Sequence, residues 1–256
     1  MRAPFSNLAV AVVCVFPLLA GNGAAAETLR LAGTGSATEM LRHVGAQFTA
    51  ATGVKIDVVP GLGSTGAIRA LADGVLDIAV PARPLKADES AKGLRQVGML
   101  RTAYVFATSH PKPNGLQAAD LPRIVAAEKS TWADGTPIRI ILRPRSEADT
   151  ALLGELFAGM DKAIENARRR QEVPIAATDQ DNADLAERTP GSLIGTTMTQ
   201  LTTEHRNLRV VPLDGIEPAL ANFESGAYPF AKKLYLILRP NSAPEARQFV
   251  DFLRSP

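Results

Sequence analysis

The sequence predicts an α/β protein with a mainly parallel sheet. Short runs of apolar residues with strand character alternate with longer stretches in which apolar residues recur at helical spacing. Glycine follows several of the helical stretches, and three loops that lead from a strand to a helix carry hydroxyl or charged side chains. Alternation of this kind is typical of units in which helices connect parallel strands and cover the sheet.

Eight apolar runs have the length and the content of β-branched residues that are typical of strands. Helical spacing is clearest at residues 36–53, where Leu41 and Phe48 share one face and Gly53 ends the helix. It recurs after the loop at 61–66, at 148–157 and at 244–253. The predicted strands lie at residues 28–33, 54–59, 76–80, 104–108, 138–142, 193–197, 208–213 and 233–238.

The beginning of the chain predicts export. An apolar segment spans residues 8–19 behind Arg2, and small residues precede Glu27. This order is typical of a secretory signal peptide, here cleaved after about Ala26, and the segment is shorter than an ordinary membrane span. Cys14, the one cysteine, lies inside the signal. We therefore expect a soluble periplasmic protein without disulfides, from which residues 1–26 are removed.

Charge and motif content exclude several classes of function. The chain has 28 basic and 26 acidic residues, a balance too even for a nucleic-acid or anionic-membrane surface. The one basic run, at residues 168–170, is interpreted as a solvated helix face. His43, His110 and His205 lack metal-ligand spacing and are interpreted as surface residues. Nucleophile-elbow, metalloprotease and P-loop patterns do not occur, so we expect no metal, no cofactor and no enzymatic activity.

The stretch GLGSTG at residues 61–66 predicts an anion site. It follows a strand and precedes a helix, which places backbone N–H groups and the positive end of a helix dipole together. It also matches the G-x-G-x-x-G pattern of dinucleotide-binding folds, which require an acidic residue closing the next strand. Asp77 opens that strand instead, and free dinucleotides are scarce outside the cytoplasm. An exported nucleotide-dependent enzyme is therefore a minor alternative.

Two further loops have the same character. In GTGSATE (residues 33–39), Ser36 and Glu39 also have the spacing of a capping box, which is the competing interpretation of that serine. In LRPRSEADT (residues 142–150), Arg143 and Arg145 precede a helix that opens near Ser146. Three helix starts of this kind in one exported chain favour a shared anion site over three unrelated caps.

These stretches resemble the phosphate-type solute-binding proteins of ABC transporters over nearly the whole chain after the signal. GTGSATEML (33–41) is similar to the family's first anion loop, and GLGSTGAIRALADGVLDIAVPARPL (61–85) to its second loop with the following strand and turn. The stretch 121–143, with its Trp-x-Asp-Gly, and the stretches 190–197 and 213–238 follow the family's order. The last of these, with Asp-Gly, Gly-x-Tyr-Pro and Leu-Tyr elements, is among the most specific matches.

The resemblance implies a two-lobed, type II-like periplasmic-binding-protein fold in which the chain crosses between the lobes twice. The first lobe would contain residues 27–107 and 226–256, and the second residues 108–225. The protein would act as a monomer, capture phosphate or a similar oxyanion in the cleft and deliver it to an ABC permease. A diverged protein that binds another small anion, or that senses it together with a membrane receptor, is the alternative.

The resemblance also implies which residues bind the anion, which would be held by helix N-termini and hydroxyls. The positions that match the family's three loops, with Arg83 after the third predicted strand, are Ser36, Ala37, Thr38, Ser64, Thr65, Arg83, Arg143, Arg145, Asp149 and Thr150.

The chain departs from the family pattern at two places in or beside these loops. Ala82 stands where the family has the partner of the phosphate proton, and Ala148-Asp149 stands in place of Ser-Gly. Asp149 could complete a helix cap, repel the anion, or accept the proton that Ala82 cannot. Arg83 could bind the anion or form a surface salt bridge.

Overall fold

The computed structural model describes residues 28–255. The predicted signal peptide, with its cleavage position after about Ala26, lies outside the described residues. In the described part of the chain, no helix combines the length and the apolar character needed to cross a membrane.

Strands and helices alternate as the sequence predicts. The described strands are β1 (Thr28–Gly33), β2 (Lys55–Val58), β3 (Ile78–Val80), β4 (Arg95–Thr108), β5 (Arg139–Ile140), β6 (Ser192–Thr197), β7 (Arg209–Val211) and β8 (Ala231–Leu238). The helices are α1 (Thr38–Thr52), α2 (Gly63–Ala72), α3 (Ala87–Ala91), α4 (Leu121–Ala126), α5 (Ala148–Leu156), α6 (Met160–Ala167), α7 (Asp179–Arg188), α8 (Met198–Thr203), α9 (Leu220–Glu224) and α10 (Pro244–Arg254).

The sheet is mixed, whereas the sequence led us to expect mainly parallel pairing. The strand order is β2-β1-β3-β8-β4-β6-β5, and β7 also pairs with β4. The outer pairs β1–β2, β1–β3 and β5–β6 are parallel. Every pair that involves β4 or β8 is antiparallel. The reason is that β4 carries the chain from one half of the molecule to the other and β8 carries it back, so these two strands run in opposite directions.

The apolar side chains form separate cores on either side of this crossing. In the first half, two buried clusters cover the two faces of the β2-β1-β3-β8 sheet, one around Phe48 and Phe249 and the other around Ile68 and Leu71. The second half has its own core of buried residues between positions 103 and 228. We call these halves lobe 1 and lobe 2.

Two segments therefore connect the lobes. The start of β4 pairs with β8 through residues 95–103, and its end pairs with β6 and β7 through residues 104–108. The chain returns at β8, which begins at Ala231. The limits of the lobes at 107 and 226 stay a prediction; the side chains at 103–107 pack in the core of lobe 2.

Two surface predictions were wrong. His110 is buried and stacks on the Trp132 ring, with 5.2 Å between ring centroids. Arg168 and Arg170 lie after the end of α6, and only 6% and 14% of their side chains are exposed. Their guanidinium groups donate to backbone carbonyl oxygens, that of Arg168 to Arg143 at 2.6 Å. The aliphatic parts of these arginine side chains can pack against the protein while the guanidinium groups bind backbone carbonyl oxygens.

Candidate functional site

Four helix starts face one another between the lobes. The N-terminal turns of α1 and α2 come from lobe 1, and those of α5 and α7 come from lobe 2. They enclose a cavity of about 60 Å³, which we call the central cavity. Because each helix start carries the positive end of a helix dipole, this arrangement favours an anion. The lining residues are Gly35, Gly61, Leu62, Gly63, Arg143, Glu147, Ala177, Thr178, Asp179 and Gln180.

The first loop contributes a backbone donor. Ser36 is buried, and its N–H donates to Oδ2 of Asp179 at 3.1 Å. The N–H of Ala37 donates to the Thr34 carbonyl within the same turn, at 3.1 Å. Thr38 is buried at the edge of a larger cavity of about 620 Å³ that adjoins the central one. The first loop therefore lines the central cavity with Gly35, and its Ser36 N–H binds Asp179, another lining residue.

The capping-box interpretation of Ser36 is wrong. The residue that precedes α1 is Ala37, and no side chain caps this helix. Glu39 instead forms an ion pair with Arg42 at 3.0 Å. Glu39 therefore does not close a capping box, and the N–H of Ser36 donates to Asp179 instead.

The second loop lies beside the central cavity. Gly61 and Gly63 have φ angles of 78° and 62°, which glycine adopts without strain. Ser64 is buried, and its hydroxyl accepts from the N–H of Ala82 at 2.9 Å. Thr65 lines an adjacent cavity of about 210 Å³ together with Arg83. The Ser64 hydroxyl thus helps to fix the loop, and both Ser64 and Thr65 line this cavity.

Arg83 forms a salt bridge, one of the two roles considered for it. Its guanidinium makes two hydrogen bonds to the Glu89 carboxylate, at 2.7 and 2.8 Å, while it borders the 210 Å³ cavity. The hydrogen bond from Arg83 lowers the pKa of Glu89 to about 2. The side chain is therefore held at the cavity wall by a paired carboxylate and does not present an unpaired charge.

This pair predicts a pH dependence of stability. The pKa of Glu89 is about 2 in the folded chain against an ordinary value of 4.5, so the pair stabilises the fold above pH 4.5 and loses this effect as the pH falls toward 2. The difference in the free energy of unfolding between wild type and Glu89→Gln should therefore become smaller at low pH. Urea unfolding at several pH values measures it, with the exposed Glu155→Gln as control. A difference in the free energy of unfolding that stays the same at every pH would contradict the prediction.

The third loop places only one of its two arginines in the site. Arg143 is 7% exposed, donates to the Ala176 carbonyl at 2.8 Å and lies 3.4 Å from Glu147 and 3.9 Å from Asp179. Arg145 points outward and pairs with Glu165, with 69% of its side chain exposed. Arg143 is therefore the arginine of this loop that lines the central cavity.

Asp149 is not a helix cap. The residue that precedes α5 is Glu147, and no side chain caps this helix. The Asp149 carboxylate is buried and forms an ion pair with the fully buried Lys232 of β8. Thr150 donates its hydroxyl to the Pro144 carbonyl at 2.9 Å and so closes the loop. Asp149 thus has a cation of its own, which removes the reason to expect strong repulsion of an anion by this residue.

Lys232 is a buried residue of the site that was not predicted, although the residue pattern of β8 indicates that it is buried. Burial lowers the pKa of this lysine, but the carboxylates of Asp149 and Asp179 raise it by more, so the net shift is upward. In β8 the buried positions alternate, and Lys232 lies on the same face as Leu234 and Leu236. A lysine at an inward position of a strand predicts a buried carboxylate partner.

Asp179, Glu147 and Gln180 are further cavity residues that were not predicted. Thr178 and Asp181 form a capping box at the start of α7, with both hydrogen bonds at 3.0 Å. This pattern can be recognised in a sequence, and it would have placed Asp179 in the first turn of a helix. Burial raises the pKa of Glu147, and the charge of Arg143 opposes this shift.

The charges around the central cavity nearly cancel. Two cations, Arg143 and Lys232, lie among the carboxylates of Glu147, Asp149 and Asp179. With all five groups ionised, this cluster carries one negative charge. A guest anion would therefore depend on directed hydrogen bonds, including any that its own proton can donate, and not on an excess of positive charge.

Comparisons with known proteins agree with this architecture. A family model described as the PBP superfamily domain matches residues 20–256. No curated protein matches the sequence.

Solved structures show the same fold at low identity. One, assigned as a phosphate ABC transporter substrate-binding protein from Clostridium perfringens and solved with bound phosphate, is 17% identical, with a TM-score of 0.74 over 90% of this chain and 93% of that one. An ABC-type phosphate transport receptor from Vibrio cholerae is 17% identical, with a TM-score of 0.58 over 89% and 93%. The effector-binding domain of QuiR in complex with shikimate is 13% identical, with a TM-score of 0.58 over 88% and 94%. The predicted binding-protein fold is confirmed.

Proposed function

Because the chain belongs to the PBP superfamily domain family, we propose that it is a periplasmic solute-binding protein that captures phosphate or a similar inorganic oxyanion and delivers it to an ABC permease. One observation carries the proposal. The N–H of Ser36, at the start of α1 in lobe 1, donates to a carboxylate oxygen of Asp179 from lobe 2 inside the cleft. The first loop is thus shaped to hold an oxygen that bears negative charge, between two lobes that could close on a ligand.

An acidic side chain in the cavity supports phosphate over sulfate. Glu147 lines the central cavity, and its carboxylate can accept a hydrogen bond. Phosphate carries a proton at neutral pH and can donate it to this carboxylate, whereas sulfate has none to donate. A carboxylate and phosphate can therefore share a hydrogen bond, whereas a carboxylate and sulfate repel each other. The proton acceptor that Ala82 cannot provide would therefore come from lobe 2, and Asp149 is not needed for it.

Sensing of a small organic anion is the second candidate function. The evidence for this function is that a carboxylate, that of Asp179, already occupies the site. The groups around it can bind the carboxylate of a ligand equally well. In that case the protein would report its ligand to a membrane receptor. Phosphate and carboxylate ligands would bind the same donors, so titration with each ligand is needed to distinguish the two candidate functions.

The test is a thermal-shift and calorimetric comparison of anions on the chain from residue 27 onward. Phosphate at 100 times its dissociation constant should stabilise the fold by about 2.7 kcal/mol. Sulfate at the same concentration should have little effect, since it lacks the proton. Stabilisation by shikimate but not by phosphate would support the second candidate. Equal binding of sulfate and phosphate would contradict the proposed role of the Glu147 carboxylate, and binding of no anion would overturn the capture of oxyanions.

A further inference from the structure

Asp179 occupies the position in the cleft that a ligand oxygen would take. It is 6% exposed, and its Oδ2 lies 3.1 Å from the Ser36 nitrogen of lobe 1 and 3.9 Å from Nη2 of Arg143 in lobe 2. A backbone N–H at a helix start and a guanidinium are the groups that bind oxyanions in proteins. The side chain therefore takes the Ser36 N–H and lies beside the Arg143 guanidinium, two groups that an external anion would need.

The neighbouring residue adds a second contact between the lobes. The side-chain amide of Gln180 donates to the Gly35 carbonyl at 3.0 Å and to Glu204 at 2.7 Å. A Cβ at Gly35 would lie 2.6 Å from Asp179 Oδ2 and 2.8 Å from Gln180 Oε1. A larger residue at this position would therefore displace the Asp179 and Gln180 side chains from where they lie.

The space that remains is small. The central cavity measures about 60 Å³, and the N–H of Ser36 is already bonded to Asp179 Oδ2. An anion with four oxygens that is to bind the Ser36 N–H must therefore move the Asp179 carboxylate away from it. The start of α7 is rigidly supported, because the buried Gln200 donates to the Asp179 carbonyl at 3.1 Å. The carboxylate consequently leaves Ser36 most simply when the lobes separate.

We infer that Asp179 is a built-in competitor of the ligand: its carboxylate binds the first anion loop, holds the lobes together without ligand, and must be displaced before an anion binds there. The contact between the lobes does not depend on which ligand the protein takes. The competition for the anion rests on the proposed function.

The contact is tested first without any ligand. Small-angle scattering of the ligand-free chain should give a larger radius of gyration for Asp179→Ala than for wild type, because the carboxylate no longer connects the lobes. Hydrogen exchange of the Ser36 amide should also be faster in this variant. Asp181→Asn is the control: it removes the same charge from the same helix turn at an exposed position that contacts the cap and not the first loop. Equal radii of gyration and equal Ser36 exchange in Asp179→Ala and wild type would overturn the inference.

The competition is tested with inorganic phosphate and Asp179→Asn, which keeps the side-chain shape and serves if the alanine variant does not fold. A hydrogen bond to a charged group contributes about 1.5–3 kcal/mol, so losing this competitor should tighten phosphate by about ten- to a hundredfold in calorimetry. Weaker or unchanged phosphate binding in Asp179→Asn would overturn the competition. If neither wild type nor variant binds phosphate, the proposed function fails, while a larger radius of gyration in Asp179→Ala still supports the contact between the lobes.

Discussion

Lys232→Ala is expected to lower the free energy of unfolding by about 3–5 kcal/mol, the cost of removing one partner from a buried ion pair. Lys232 is fully buried and pairs with Asp149, which is itself 4% exposed. Without the lysine, the Asp149 carboxylate stays in the interior without a cation and close to Asp179 and Glu147. Chemical denaturation of the ligand-free protein measures the difference.

Lys233→Ala is the matched control. This lysine is the next residue of the same strand, but it is exposed, so its loss should change stability by no more than about 0.5 kcal/mol. The combined change Lys232→Met and Asp149→Leu should recover much of the loss, because apolar side chains of similar volume can replace a buried pair. If Lys232→Ala and Lys233→Ala are equally stable, the buried pair does not support the fold as we describe.

Arg143→Ala is expected to weaken phosphate binding by about a hundredfold, which corresponds to about 2.7 kcal/mol. Arg143 is the arginine that faces the central cavity, and it lies near the carboxylates of Glu147 and Asp179. Its removal takes away a charged hydrogen-bond donor and leaves those carboxylates to repel an incoming anion. Isothermal titration with inorganic phosphate measures the loss.

Arg145→Ala is the control, since the two arginines are separated by one residue and have the same charge. Arg145 points outward to Glu165, so its removal should change phosphate affinity by less than about twofold. Arg143→Lys, which keeps the charge but not the planar fork of donors, should give an intermediate affinity. The reverse order, with loss of binding in Arg145→Ala and none in Arg143→Ala, would show that the third loop is placed wrongly.

Local patterns in the sequence were enough to predict the order and type of the main elements. Period-two and helical spacing of apolar residues are local signals, and they predicted all eight described strands and the helices α1, α2, α5 and α10, but of β4 only the part at residues 104–108. Glycine at 53, with φ of 79°, ended α1 as predicted, because a left-handed residue requires little beyond its own backbone. The three loops that were predicted to bind an anion precede helices, as expected from the same local signals.

The pairing of strands depends on the tertiary structure. Parallel pairing was a sound expectation from the alternation of elements, but β4 and β8 run antiparallel because they carry the chain between lobes in opposite directions. The apolar pattern of a strand reflects which of its faces are buried, and the direction of these two strands follows from where the chain enters and leaves each lobe.

Which residues form the site was likewise decided by the tertiary structure. The sequence could not choose between Arg143 and Arg145, because their surroundings differ only through Asp179 and Glu165, which come from later helices. Ser36 and Asp179 are 143 positions apart in the chain, and Asp149 meets Lys232 only after the chain has crossed back into β8. Local patterns determine which backbone can form a loop that accepts an anion. Which charges surround that loop depends on distant segments, because a buried charge is stabilised only by the partner that folding brings to it.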